Sequence, residues 1–270
     1  MFRMLEICVK SCLIGVLLVT CTPEYQITDS NKVSGEANPP QLEKIDRITQ
    51  ITKQEVDVLW VIDNSCSMIE EQTSLVNNFD AFINYFLDSK LDWHIGVTST
   101  DMTPGDIPGN HGTLNMIGDL KFIDENTPNP VQVFSQLASM GTAGSGIEEG
   151  VTATYGAIAV HDGCEHNKGF YREDATLSVV VISDEEDYST DPTLNEFISW
   201  LQALKADSDD VSFSSIVCLS QTPLNGIPCN SPWGYPDVGA RYMPLVESYG
   251  IFESQTGSQF LVSLASRQQG

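Results

Sequence analysis

The run Val56-Asp57-Val58-Leu59-Trp60-Val61-Ile62 stops at Asp63. An apolar segment closed by a carboxylate constrains the fold more than any other stretch of this chain. The run is short, rich in β-branched residues and mostly apolar, which predicts a strand buried on both faces, as in the parallel sheet of an α/β domain. Polar side chains just beyond the carboxyl end of such a strand stand where open α/β sheets bind their ligands. Asp63, Ser65 and Ser67 follow at every-other spacing and offer one carboxylate and two hydroxyl oxygens from a single tight turn. Hard oxygen donors of this kind suit a small divalent cation, above all magnesium.

The remaining pattern alternates strands with helices. Met68 to Leu87 reads as a helix, with Leu75, Phe79, Phe82, Ile83 and Phe86 on one stripe. Val131 to Met140, Ile147 to Val160, Leu194 to Leu204 and Met243 to Glu253 are further helical patterns. Strands are expected at Trp93 to Thr98, with alternating apolar and polar positions, and at Leu177 to Ser183, Val211 to Leu219 and Gln259 to Leu264. This order predicts a doubly wound, mainly parallel sheet flanked by helices, a three-layer α/β/α domain. From Thr100 to Asn129 the chain is rich in Gly, Pro and Asp. A stretch of that length is either functional or an added hairpin, and Asp101 and Asp106 in it are candidates for partner contacts.

Two further loops belong with the first. The run Leu177 to Ser183 stops at Asp184, and Gly141-Thr142-Ala143-Gly144-Ser145-Gly146 precedes the helical pattern from Ile147. Three such loops in this order resemble the metal-ion-dependent adhesion site of a von Willebrand factor A domain, over roughly residues 55 to 265. The resemblance implies a metal site of Asp63, Ser65, Ser67, a second-loop threonine and Asp184. Thr142 fits the second loop by its distance ahead of the helix, and Ser145 is the alternative. It implies Mg2+, with Mn2+ or Ca2+ as alternatives. Where the family often has glycine after the third-loop aspartate, this chain has Glu185, Glu186 and Asp187. The implied activity is binding, not turnover. The hydroxyls would hold the ion directly, the aspartates would act through waters, and a partner protein would supply a Glu or Asp carboxylate. The competing local reading is that Ser67 with Glu70, and Ser145 with Glu148, are helix capping boxes, with Asp184 a turn residue.

Residues 1–21 carry Arg3 and Lys10, then an uncharged run from Ser11 to Thr20. That run is too short to span a membrane and reads as an export signal. Leu18-Val19-Thr20-Cys21 resembles a bacterial lipobox, although Thr20 stands where a smaller residue is usual; it implies lipidation of Cys21 and a membrane anchor. Residues 22–54 read as a flexible tether, with a short helix over Leu42 to Ile51, and residues 55–270 as the binding domain. The expected location is the cell envelope, periplasmic or surface-exposed. A net charge of −24 disfavours nucleic acid, whose phosphates are gripped by Lys and Arg. In an oxidising compartment Cys218 and Cys229 are expected to close a small disulfide ring, leaving Cys66 and Cys164 to pair or remain free.

The enzyme readings are weaker. His161, Cys164 and His166 are spaced like zinc ligands but lack a fourth. An aspartate-nucleophile phosphatase would have a second aspartate where Ser65 stands. There is no nucleophile elbow at Ser145 and no phosphate-binding loop. The alternatives kept are a structural component of an envelope assembly and a metal-dependent hydrolase.

Overall fold

Strand β1 (Glu55–Ile62) lies at the centre of a sheet whose other members are β2 (Asp92–Ser99), β3 (Phe122–Asp124), β4 (Thr176–Ile182) and β5 (Val211–Ile216). The spatial order is β3-β2-β1-β4-β5. β1 pairs in parallel with β2 and with β4, and β4 in parallel with β5; β3 is an antiparallel edge on β2. The computed structural model describes residues 55–104, 107–160, 166–218 and 237–245. The leader, Cys21, the tether with its expected helix, Asp106, Cys164, Cys229 and the expected strand at Gln259 to Leu264 lie outside the described residues, as does most of the expected helix from Met243.

The helices are α1 (Ile69–Asp88), α2 (Pro130–Ala138), α3 (Gly150–Tyr155, continuing as a π-helical turn over Gly156–Val160) and α4 (Leu194–Ala203). On one face of the sheet Val56, Val58, Trp60 and Ile62 pack with the α1 stripe Leu75, Phe79, Phe82, Ile83 and Phe86, and with Phe134 of α2. Trp60 meets Phe82 and Phe134 edge-on, at 5.4 and 5.7 Å between ring centres, the arrangement in which ring quadrupoles attract. On the other face Leu59 and Val61 pack with Val151 of α3 and with Phe197 and Leu201 of α4. Burial on both sides is why β1 shows no alternation, and the result is the expected three-layer α/β/α architecture. The alternation expected in β2 is not realised: it is buried throughout from Ile95, because the Gly/Pro-rich stretch supplies β3 and makes β2 an interior strand.

The topology positions a ligand crevice. β1 and β4 are adjacent and parallel, yet α1 leaves β1 on one face while α4 follows β4 on the other. Chains that diverge from neighbouring strands in this way leave a cleft between their carboxyl ends. At the opposite edge the fold buries a charge and neutralises it. Asp57, fully buried, accepts from the Arg172 backbone N–H at 2.7 Å and from its Nε at 2.8 Å. Arg172 Nη1 also reaches Asp92 Oδ1 at 2.6 Å. Removing one partner of such a pair leaves an uncompensated interior charge, costing about 3 kcal/mol or more. Arg172→Leu is therefore expected to lower the urea midpoint sharply, and Asp57→Asn added to it to recover part of the loss. A single variant as stable as wild type would refute that role.

Candidate metal centre

The parallel pairing of β1 and β4 continues one residue past the strands, with Asp63 N–H donating to the Ile182 carbonyl at 2.9 Å. Asp63 is thereby fully buried. Its Oδ1 accepts from Ser65 N–H at 2.7 Å, and its Oδ2 from Ser183 Oγ at 2.6 Å. Ser65 Oγ and Ser67 Oγ lie 3.2 Å apart, and Ser67 Oγ donates to Asp184 Oδ1 at 3.1 Å. Asp63, Ser65, Ser67 and Asp184 thus converge from two loops. The capping expectation for Ser67 is corrected: Met68 is the N-cap of α1, and no side chain caps it. Ser145 is not a cap either. α3 begins only at Gly150, and Ser145 Oγ accepts from Ile147 N–H at 3.0 Å. A capping box does form at Thr193 and Glu196 on α4.

The second loop docks against the first through backbone. Gly144 N–H donates to Asn64 O at 2.9 Å, and Gln72 Nε2 bridges the carbonyls of Asp63 and Gly141, at 2.9 Å each. A Cβ on Gly144 would fall 2.1 Å from Asn64 Oδ1, so only glycine permits this approach. Among the described hydrogen bonds, neither Thr142 nor Ser145 makes a side-chain bond to Asp63, Ser65, Ser67 or Asp184. What the second loop buries instead is Glu148. Thr100 Oγ1 donates to Glu148 Oε2, while Glu148 Oε1 is buried without a partner. Locally Glu148 shows only the spacing of a capping box, which does not reveal an inward carboxylate. Asp101 is also buried. It accepts from Thr103 N–H, Asn110 Nδ2 and Ser145 N–H, so it organises the loops and does not project toward a partner.

Carboxylates dominate the local electrostatics. Burial pushes Asp63 up from its usual range, opposed by the Ser183 and Ser65 hydrogen bonds and reinforced by Asp184. Burial raises Asp184 too, against its bond from Ser67. Glu185 is pushed up to about 7 by burial and then by Asp63, Asp184 and Asp237. Glu148 is pushed up to about 8, by burial first and Asp63 next. Glu71, on the first turn of α1, is raised by burial and then by Asp184, Glu70 and Asp63, and its Oε2 is buried without a partner. Every charge named here is negative. Glu148 Oε1 and Glu71 Oε2 are buried without a hydrogen-bond partner, as is Asp187 Oδ2, which faces Arg241 Nε at 3.2 Å. Among the described residues no group of three or more His, Cys, Asp or Glu has metal-holding geometry. Of the zinc-like segment, His161 and Cys164 lie outside the described residues. Cys66, between the two serines, has a free and exposed thiol, the second of the two states expected for it. Cys218 is disulfide-bonded.

No protein-family model matches the chain, and no curated protein matches it. Among solved structures it is similar to a von Willebrand factor type A from Catenulispora acidiphila, at 12% identity and a TM-score of 0.46, over 81% of this chain and 43% of that one. Proximal thread matrix protein 1 from the mussel byssus follows, at 12% identity and a TM-score of 0.42, over 80% and 47%. The pilus adhesin SpaC from Lactobacillus rhamnosus GG matches at 17% identity and a TM-score of 0.30, over 50% and 15%. The chain spans less than half the length of each.

Two predictions follow from this geometry. Gly144→Ala is expected to push Asn64 aside and loosen the docking of the second loop, so the variant should remain folded by circular dichroism with a lowered melting temperature; an unchanged melting temperature would show that the contact is dispensable. Glu185 holds its proton up to about 7 in the fold and only to about 4.3 when unfolded. Its contribution to metal-free stability is present below the unfolded value and lost as pH rises through the folded one. Between about pH 5 and pH 8 the melting temperature of chelated Glu185→Gln should therefore fall less than that of wild type. Parallel curves would refute the raised value.

Proposed function

We propose that this chain is an exported von Willebrand factor A type protein that binds a partner protein through a divalent cation held where β1 and β4 end. The observation that carries this reading is the 3.1 Å bond from Ser67 Oγ to Asp184 Oδ1, between residues 117 apart. Neither a helix cap nor a turn calls for that contact, and it gathers hydroxyls and carboxylates into one oxygen cluster. Ser65 and Ser67 would hold the ion through their hydroxyls, while Asp63 and Asp184 would orient its waters. Magnesium fits the donors best, and manganese or calcium would use the same oxygens. Bound there, the ion would supply an open coordination position for a Glu or Asp carboxylate of the partner.

Leaving the aspartates in the outer layer keeps the ion attractive to an incoming carboxylate, and the surrounding loops set specificity. The site's work is binding and not turnover. The leader, a lipid on Cys21 and the tether over residues 22–54 would hold the domain in the cell envelope, on the periplasmic or outer side. Among the described residues no helix is long and apolar enough to cross a membrane. A constitutive structural role in an envelope assembly would use the same domain without needing the ion.

Thermal unfolding of the chelated chain, titrated with Mg2+, Mn2+ and Ca2+ beside Asp63→Ala, tests the reading. A ligand at about a hundred times its Kd adds about 2.7 kcal/mol, a rise on the order of 5 to 10 °C for a domain of this size. Asp63→Ala should stay folded and show no rise. No shift with any of the three cations would sink the proposal.

A further inference from the structure

We infer that the acidic run after Asp184 is a clamp: Glu186 and Asp187 fasten the third loop to residues 237–242 and so act as positioning residues for the cation centre. This rests on the metal-dependent reading above. It gives the carboxylates that stand where glycine is usual a role of their own, which is to hold the loop and not the ion.

Three successive contacts join the two segments. The Asp237 N–H donates to the Asp184 carbonyl at 2.9 Å. Glu186 spends both oxygens at the start of the 3-10 turn Ala240–Tyr242: Oε2 accepts from the Ala240 N–H and Oε1 from the Arg241 N–H, each at 3.0 Å. The Arg241 side chain then meets the next residue of the run, with Nε 3.2 Å from Asp187 Oδ2. Asp187 is buried. Its Oδ1 accepts from the Val151 N–H at 3.2 Å and from Ser189 Oγ at 2.8 Å, and the Tyr242 hydroxyl lies 3.5 Å away. Val151 belongs to α3, so one carboxylate ties together that helix, the third loop and residues 237–242.

Asp184 is held from two directions as a result. Its Oδ1 takes the bond from Ser67 in the first loop at 3.1 Å, and its carbonyl takes the bond from Asp237. A donor fixed in place before the ion arrives loses less freedom on binding it. The clamp turns on Arg241, a part-exposed guanidinium against a buried carboxylate, because its removal leaves Asp187 uncompensated. Arg241 also separates positioning from simple electrostatics. Removing a cation near the centre should, by Coulomb attraction alone, tighten the binding of a divalent ion. Opening the clamp should weaken it.

Isothermal titration of the full chain with Mn2+, below the melting temperature of each variant, compares wild type with Asp63→Ala, Arg241→Gln, Glu185→Gln and Glu186→Gln. Arg241→Gln is expected to raise the Mn2+ Kd by about tenfold or more. Unchanged or tighter binding in Arg241→Gln, with Asp63→Ala inactive, overturns the clamp and leaves the metal-dependent reading standing. Should Arg241→Gln fail to fold, the two glutamine variants of the run decide. Each removes one negative charge, and Glu185 is the one whose carboxyl Asp63 and Asp184 act on, so charge alone makes Glu185→Gln the weaker binder. The clamp makes it Glu186→Gln, whose amide keeps one acceptor for two N–H groups. An equal or greater loss in Glu185→Gln overturns the inference. A wild type that takes up none of Mn2+, Mg2+ and Ca2+ overturns both readings.

Discussion

The candidate site depends on the parallel pairing of β1 and β4 being carried one residue beyond both strands, through the 2.9 Å bond from Asp63 N–H to the Ile182 carbonyl. That bond fixes Asp63 at the height of Ser183, whose hydroxyl reaches Asp63 Oδ2 at 2.6 Å. From there the first loop turns back, so Ser65 and Ser67 stand beside Asp184. The pairing itself is a product of packing. Trp60 and its neighbours on one face, and Leu59 and Val61 on the other, leave β1 nowhere to go but the centre of the sheet.

The two ends of the sheet treat buried charge in opposite ways. At the amino end Asp57 is met by the guanidinium and backbone of Arg172. Lys205 donates to the Arg172 and Glu173 carbonyls at 2.6 and 2.9 Å and lies over the Tyr171 ring. At the carboxyl end burial raises the proton affinity of Asp63, Glu148 and Glu185, and neighbouring carboxylates raise it further. A fold that neutralises one buried aspartate with arginine and leaves a cluster of others to one another concentrates negative potential where its loops converge. That potential draws cations and repels anions.

Much of this was legible in the chain. The β1 run, the α1 stripe and the three-loop order all express local rules of burial and spacing, and the helices and interior strands lie close to their expected positions. The placement of Asp63, Ser65, Ser67 and Asp184 at the ends of β1 and β4 was readable because each follows a recognisable strand. The serine-glutamate spacings were ambiguous, because a cap and an inward-turned site residue share one local pattern. The helix starts exclude both caps, since Met68 is the N-cap of α1 and α3 begins only at Gly150. β3 and the full burial of β2 were hidden in the Gly/Pro-rich stretch, since three residues with no strong periodicity become a strand only when an edge is present to pair with.

The sequence by itself determined the alternation of strands and helices, the central buried strand and the aspartate that ends it, because those depend on which residues are apolar and at what period. Tertiary structure alone decided how the second loop meets the first. Its approach is set by the bare backbone of Gly144 against Asn64, and it buries the Glu148 side chain. A side chain's partner across a hundred residues depends on loop heights and strand register, which no short window of sequence encodes.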